Sequence, residues 1–186
     1  KWMDQRQNVT HELLKIRDTA NDLLGKMDTI IWTMKSSNDT LESLIAYVRA
    51  YAKEYFDNTN ITCSVQVQRL PSVQISGEKR RNIFLGIKEA LHNIVKHAQA
   101  TEVQINIEAN NHVLTIEICD NGVGLDPDKL RKFGNGLNNM KRRMESIEGS
   151  WEIIGGQGTK VVFRLPVESA AAAAPAASSK RRWAMR

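Results

Sequence analysis

From Val9 to Met34 the apolar residues recur at alternating spacings of four and three: Val9, Leu13, Ile16, Ala20, Leu23, Met27, Ile30 and Met34. That is the a/d repeat of a helix that packs against another helix. Nothing later in the chain carries a matching long stripe, so the partner is expected in a second copy or in a segment outside this sequence. Trp32 belongs either to that seam or to its junction with the domain beyond it.

Ser36-Ser37-Asn38-Asp39 interrupts the repeat, and Asp39 with Glu42 three residues on reads as an N-cap with its capping box. The helix it opens presents Leu41, Leu44, Ile45, Val48, Ala52 and Tyr55 on one face and runs to about Asn58. Residues 61–69 alternate as a strand, and LPSVQISG reads as a loop. Residues 78–98 form a helix with Ile83, Ile87, Ala90, Leu91, Ile94 and Ala98 on its core face. Two alternating strands come next, Val103/Ile105/Ile107 and Leu114/Ile116/Ile118, turning at Asn110-Asn111. The stretch DNGVGLDPDKLRKFGNG then leads into a helix marked by Leu137, Met140, Met144 and Ile147. Two last strands, near 150–154 and 160–165, are joined by GGQG, and Pro166 closes the domain. Trp151 is expected in the core. Residues 168–186 are low-complexity and then basic, either a flexible native end or an appended extension.

The net charge of +5 comes largely from Lys180, Arg181, Arg182 and Arg186 in that tail. Without them the chain is close to neutral, which argues against nucleic-acid binding by the folded part. Cys63 and Cys119 have no metal or redox spacing and are expected as small buried strand residues, in keeping with a reducing compartment. No apolar run is long enough to span a bilayer, and no secretory signal is visible. The chain enters helical pattern from Lys1 and is read as an excised fragment, with a membrane anchor elsewhere left open.

Three clusters carry chemistry. Glu89, Asn93, Lys96 and His97 sit at i, i+4, i+7 and i+8, so they share a helical face. An amide oxygen can serve a hard cation, an ammonium can meet phosphate oxygens, and a carboxylate can orient or deprotonate a neighbouring group. Asp120-Asn121-Gly122-Val123-Gly124 directly follows a strand. A carboxylate there can accept from an adenine amino group, and glycines let backbone approach a ligand. Gly134-Asn135-Gly136-Leu137 opens a helix whose free N–H groups and dipole favour phosphate, with Lys129, Arg131 and Lys132 just before it. Each cluster alone also has a bland reading: a solvated helix face, a common turn, a common helix start. No P-loop pattern is present.

In this order, EALHNIVKHA, DNGVG and GNGLNNMKRRM resemble the N, G1 and G2 boxes of the histidine-kinase ATPase module, within the gyrase-like superfamily. GGQGTKVVFRLP resembles its closing G3 region. The likeness covers roughly residues 38–166. The short stretch between DNGVG and GNG, without a separate phenylalanine-rich box, resembles the nitrate-sensor subfamily. The resemblance implies an α/β fold: a two-layer sandwich of a mixed sheet covered by helices on one side. It implies Mg-ATP as cofactor, Asp120 on the adenine amino group, and Gly122 and Gly124 at the base pocket with Thr159 assisting. It implies Asn93 as a magnesium ligand beside Glu89, and Lys96 and His97 toward phosphates or ribose. Gly134, Gly136 and Leu137 form the lid end. Glu89 and Lys96 are the expected catalytic pair.

On this resemblance residues 1–37 are the second helix of a dimerisation hairpin, residues 38–167 the ATP-binding domain, and residues 168–186 the tail. Expected partners are a second copy through residues 5–36 and a response-regulator receiver domain, with no nucleic acid and no membrane contact, in the cytoplasm. The phosphoacceptor histidine is expected on the missing first helix. His92 and His97 lie in the N box, His112 in a turn, and His11 reads as a solvated helix position. The fragment is therefore expected to bind ATP without phosphorylating itself. A pseudokinase that signals through dimer geometry, and a compact serine kinase of the anti-sigma-factor type, are the competing readings. The intact Asn93, Asp120 and glycines argue against the first, and the leading heptad helix against the second.

Overall fold

The computed structural model describes residues 39–68, 70–110, 112–125 and 136–167, with residues 9, 12–17, 19, 20, 23, 27, 30–32 and 35 of the leading segment. His11, Met34, the stretch 126–135 with Gly134, and the tail 168–186 lie outside the described residues. The chain forms α1 (Leu41–Phe56), β1 (Thr62–Val67), α2 (Gly77–Asn93) running into a π-helical turn (Ile94–Ala98), β2 (Glu102–Ala109) and β3 (Val113–Asp120). α3 (Gly136–Glu145), β4 (Ser150–Gly156) and β5 (Gly158–Pro166) complete it.

The five strands lie in the order β1-β2-β3-β5-β4. β1 is parallel to β2, and the other pairs are antiparallel. The period of two sends Val103, Ile105 and Ile107 of β2 and Leu114, Ile116 and Ile118 of β3 to one face, all buried. Ile105 pairs with Ile118, Ile116 with Phe163 and Leu114 with Leu165, so this face is a continuous apolar layer under the helices. The opposite face carries Gln104, Asn106 and Glu117, the last paired with Lys160 at 2.7 Å. This is the mixed sheet with helices that the sequence led us to expect. Among the described residues no helix is long and apolar enough to cross a membrane.

Several local expectations need correction. The N-cap of α1 is Thr40, not Asp39: Thr40 has extended backbone and its hydroxyl accepts from Ser43 N at 3.2 Å. Asp39 is drawn away by Arg80, whose Nη2 donates to Asp39 Oδ1 at 2.6 Å. Phe56, not Tyr55, fills the last buried place on α1, and Tyr55 is half-buried. The stretch LPSVQISG is more than a loop. Val73 and Ile75 are buried, Leu41 N donates to Val73 O, and Ile75 N donates to Asp39 O. The glycines of GGQG continue the β4–β5 ladder, with Gly155 opposite Thr159 and Gly156 opposite Gly158. Cys63, Cys119 and Trp151 are half-buried rather than buried. Burial pushes the Cys63 thiol up to about 11, so it is not a ready nucleophile.

Arg80 decides how the leading segment meets the domain. It is fully buried, and besides Asp39 it donates to the carbonyls of Trp32 and Lys35, each at 3.2 Å. Its guanidinium lies 4.7 Å over the Trp32 ring. Trp32 in turn stacks on Tyr47 at 4.0 Å, and Phe84 packs against Tyr47. Of the two sequence readings of Trp32, the junction is the one the structure supports.

Candidate functional site

Asp120 ends β3 with the same parity as Ile116 and Ile118, so its side chain enters the helix-covered face. Only 8% of the residue is exposed. Its Oδ1 accepts from Gly122 N at 2.9 Å and from Thr159 N at 3.3 Å. Burial pushes the carboxyl above the usual carboxylate range, and the bonds from Gly122 and from the Thr159 amide and hydroxyl pull it back in part. The result is a carboxylate held by two backbone N–H groups in a slot whose walls are mostly apolar.

The loop after Asp120 is built against the end of α2. A side chain at Gly122 would collide with the Ala98 carbonyl, which accepts from Val123 N at 2.8 Å. Asn121 braces the same loop: its Oδ1 accepts from Thr101 N at 2.9 Å and Glu102 N at 3.0 Å. Gly122 and Asn121 therefore shape the loop, while Gly124, at φ +77°, and Leu125 line the pocket.

From α2 and its π-helical turn, Ala90, Asn93 and His97 face this pocket. Ile118 and Asp120 form its sheet side, with Thr159 and Val161 from β5. Leu137 and Met140 of α3 and Ile153 of β4 close it. An apolar slot with one anchored carboxylate suits a flat heteroaromatic ring that carries an N–H donor. The sequence reading missed the walls Leu125, Met140, Ile153 and Val161 as ligand contacts. Only Met140 and the strand alternation hinted at them, and both look like ordinary core.

The predicted residues divide accordingly. Asn93, His97, Asp120, Gly124, Leu137 and Thr159 come together at the pocket. Gly136 lies so close over Glu89 that a side chain there would collide with the carboxylate, which places the start of α3 next to Glu89. Glu89 and Lys96 are not among the described pocket-lining residues, and Lys96 is exposed. The expected i, i+4, i+7, i+8 face assumed a regular α-helix. The wider π-helical turn from Ile94 changes that spacing, keeping His97 with Asn93 and leaving Lys96 outside. Partial burial, then the charges of Lys96 and His92, hold the His97 imidazole below its ordinary value. Burial and then Glu89 push the Tyr55 phenol up, and its hydroxyl meets His92 Nδ1 at 3.2 Å.

Among the described residues no group of three or more His, Cys, Asp or Glu could cage a metal ion. Asn93 with Glu89 one turn before it suits instead a cation that arrives on phosphate and keeps most of its ligands from phosphate and water.

The family profile described as histidine kinase-, DNA gyrase B-, and HSP90-like ATPase matches residues 78–169. The sensor histidine kinase LiaS of Bacillus subtilis is 33% identical over 88 residues, 46% of this chain and 24% of its own length. The signal transduction histidine-protein kinase/phosphatase DegS of Brevibacillus brevis is 27% identical over 163 residues, 84% of this chain and 41% of its own. The chain thus spans less than half of either relative. Among solved structures, the histidine kinase domain of an Erythrobacter litoralis blue-light activated kinase superposes with a TM-score of 0.57 at 22% identity. That match covers 67% of this chain and 61% of the other.

Proposed function

Residues 78–169 belong to the histidine kinase-, DNA gyrase B- and HSP90-like ATPase family, and from that premise we propose that this chain is the Mg-ATP-binding catalytic domain of a two-component sensor histidine kinase. The observation that carries the reading is Asp120: a buried carboxylate, fixed by Gly122 and Thr159, at the end of an apolar slot. In this reading Asp120 accepts from the adenine amino group, and the ring lies among Gly124, Ile153 and Met140. His97 and Thr159 border the base and ribose, and Lys96 is left to meet phosphate oxygens from the rim. The phosphates run toward Asn93 and the start of α3 at Gly136 and Leu137, and Gly134 joins them by its place in the sequence motif.

Asn93 would help hold the magnesium ion, which when bound neutralises phosphate charge. Glu89, under Gly136, is placed to orient the incoming imidazole or take its proton. The imidazole nitrogen forms a bond to the γ-phosphorus while the bond to the β–γ bridging oxygen breaks and ADP leaves. Positioning and charge neutralisation supply most of the rate. The acceptor histidine lies on a helix absent from this chain, and the phosphoryl group passes on to a response-regulator aspartate. The chain acts in the cytoplasm and pairs with a second copy through residues 5–36. The narrower nitrate-sensor assignment rests on the short stretch after DNGVG alone.

Calorimetry with Mg-ATP on this chain and on Asp120→Asn tests the reading. Saturable binding to the parent and its loss in the variant is the expected result, because the amide presents a donor where the adenine amino group needs an acceptor. A parent chain that binds no nucleotide would overturn it.

A further inference from the structure

β1 stands at one edge of the sheet. Thr62 N donates to Thr101 O and Gln68 N to Ile107 O, so the even-numbered residues of the strand bond to β2. The N–H and C=O groups of Cys63, Val65 and Val67 therefore point away from the sheet. Among the described residues no hydrogen bond takes them up. Sheet edges are commonly guarded by charged residues, proline or a bulge. β1, with the sequence TCSVQV, has no charge and no proline, and its register with β2 runs unbroken from Thr62 to Val67. The opposite edge differs, since β4 carries Glu152 and ends in Gly155-Gly156.

Along this open edge β1 forms a groove with α1. Cys63 and Val65 are half-buried and line it together with Ile61 and the buried Phe56. Arg49 and Lys53 of α1 line it as well, with Asp57 just past the helix end. Both cations are exposed, and neither holds a carboxylate among the described residues. They lie one helical turn apart, about 6 Å along the axis. Alternate side chains on one face of an extended strand are about 7 Å apart. Two carboxylates at alternate positions of a strand laid along β1 thus match the two cations. The strand's other side chains would meet Thr62, Ser64 and Gln66, all exposed and uncharged. The groove shares no residue with the Asp120 pocket.

We infer that the β1 edge is a docking site for an extended, acidic segment of a partner protein. The segment adds a strand to the sheet: its backbone pairs with Cys63, Val65 and Val67, and its alternate carboxylates face Arg49 and Lys53. Backbone pairing supplies affinity for any extended chain, and the two cations select an acidic one. A second copy is the poorer occupant, because it brings its own Arg49 and Lys53 to the same groove and sets like charges together.

The test titrates the isotope-labelled chain with a short synthetic peptide of alternating threonine and glutamate and follows amide exchange residue by residue. Saturable binding is expected, with slower exchange at Cys63, Val65 and Val67 and little change at Thr62, Ser64 and Gln66, which are already in the ladder. Val65→Pro removes an outward N–H but no bond to β2, so it should abolish binding and leave the sheet intact. Arg49→Glu combined with Lys53→Glu should weaken the acidic peptide about tenfold, and a threonine–lysine peptide should then bind the double variant better than the parent. No protection at Cys63, Val65 and Val67, or equal binding of the acidic and the basic peptide, would overturn the inference. Protection of these amides in the peptide-free chain that grows with its concentration would give the edge to a second copy and overturn it as well.

Discussion

Two apolar helical stripes run through this chain and meet opposite fates. On α1, Leu41 and Leu44 are fully buried and Val48 is 1% exposed. On the leading segment, Leu13 and Ile16 leave 61% and 64% of their surface open. Both have helical periodicity, so amphipathicity is only a demand for cover. α1 meets that demand inside the chain, against α2 and the sheet. Near its end the leading segment is tied to the domain where Arg80 gathers the carbonyls of Trp32 and Lys35. Its open stripe is what we assign to a second copy.

The sharpest way to break the comparison is to truncate one residue from each stripe. Leu44→Ala is expected to destabilise the domain by about 2–5 kcal/mol in denaturant unfolding, since it leaves a cavity at a closed site. Leu13→Ala should leave that stability unchanged and reduce self-association in sedimentation. An equal loss from both would mean that the leading stripe is covered within one chain.

Arg80→Ala addresses the point where the two regions join. We expect a loss of about 2 kcal/mol, less than for a fully enclosed ion pair because Asp39 keeps contact with water. Faster amide exchange across Trp32 and the first turn of α1 should accompany it. A stability loss without that change at Trp32 would place the role of Arg80 in the core alone.

The smallest effect concerns the site. The carboxyl of Asp120 is raised in the folded state, so its favourable contribution is fully present below the ordinary carboxylate range and lost as pH rises through the shifted value. At neutral pH the charged form therefore weighs against folding. Asp120→Asn should raise the melting temperature of the nucleotide-free chain slightly at pH 7.5. The gain should shrink on acidification toward that window. A fall in melting temperature at pH 7.5 would show that the bonds from Gly122 and Thr159 need the charge.

The sequence displayed the elements well because each is declared by neighbours. The alternation of Leu114, Ile116 and Ile118 was visible from the pattern, which set Asp120 at a strand end, and the structure showed that it keeps their parity. Asn93 follows Glu89 by one helical turn for the same reason. The partner of Asp39 was not visible, because Arg80 lies 41 residues away and outcompetes the local cap. Nor was the fate of Lys96, since a regular helix was the only geometry that spacing could assume. Ile153 and Val161 looked like core residues because alternation distinguishes inside from outside, but not a packed wall from a pocket wall.

By itself, then, the sequence determined the order of helices and strands, the strand end at which Asp120 stands, and the succession of clusters that resembles the ATPase family. Backbone periodicity and local sterics act over a few residues, and they suffice for that. Only the tertiary structure decided that Arg80 ties the leading segment to α2, that the π-helical turn separates Lys96 from Asn93 and His97, and that α3 returns antiparallel to α2 with Gly136 over Glu89. Those outcomes depend on which distant groups compete for the same hydrogen bonds and buried volume, and that competition exists only once the chain has folded.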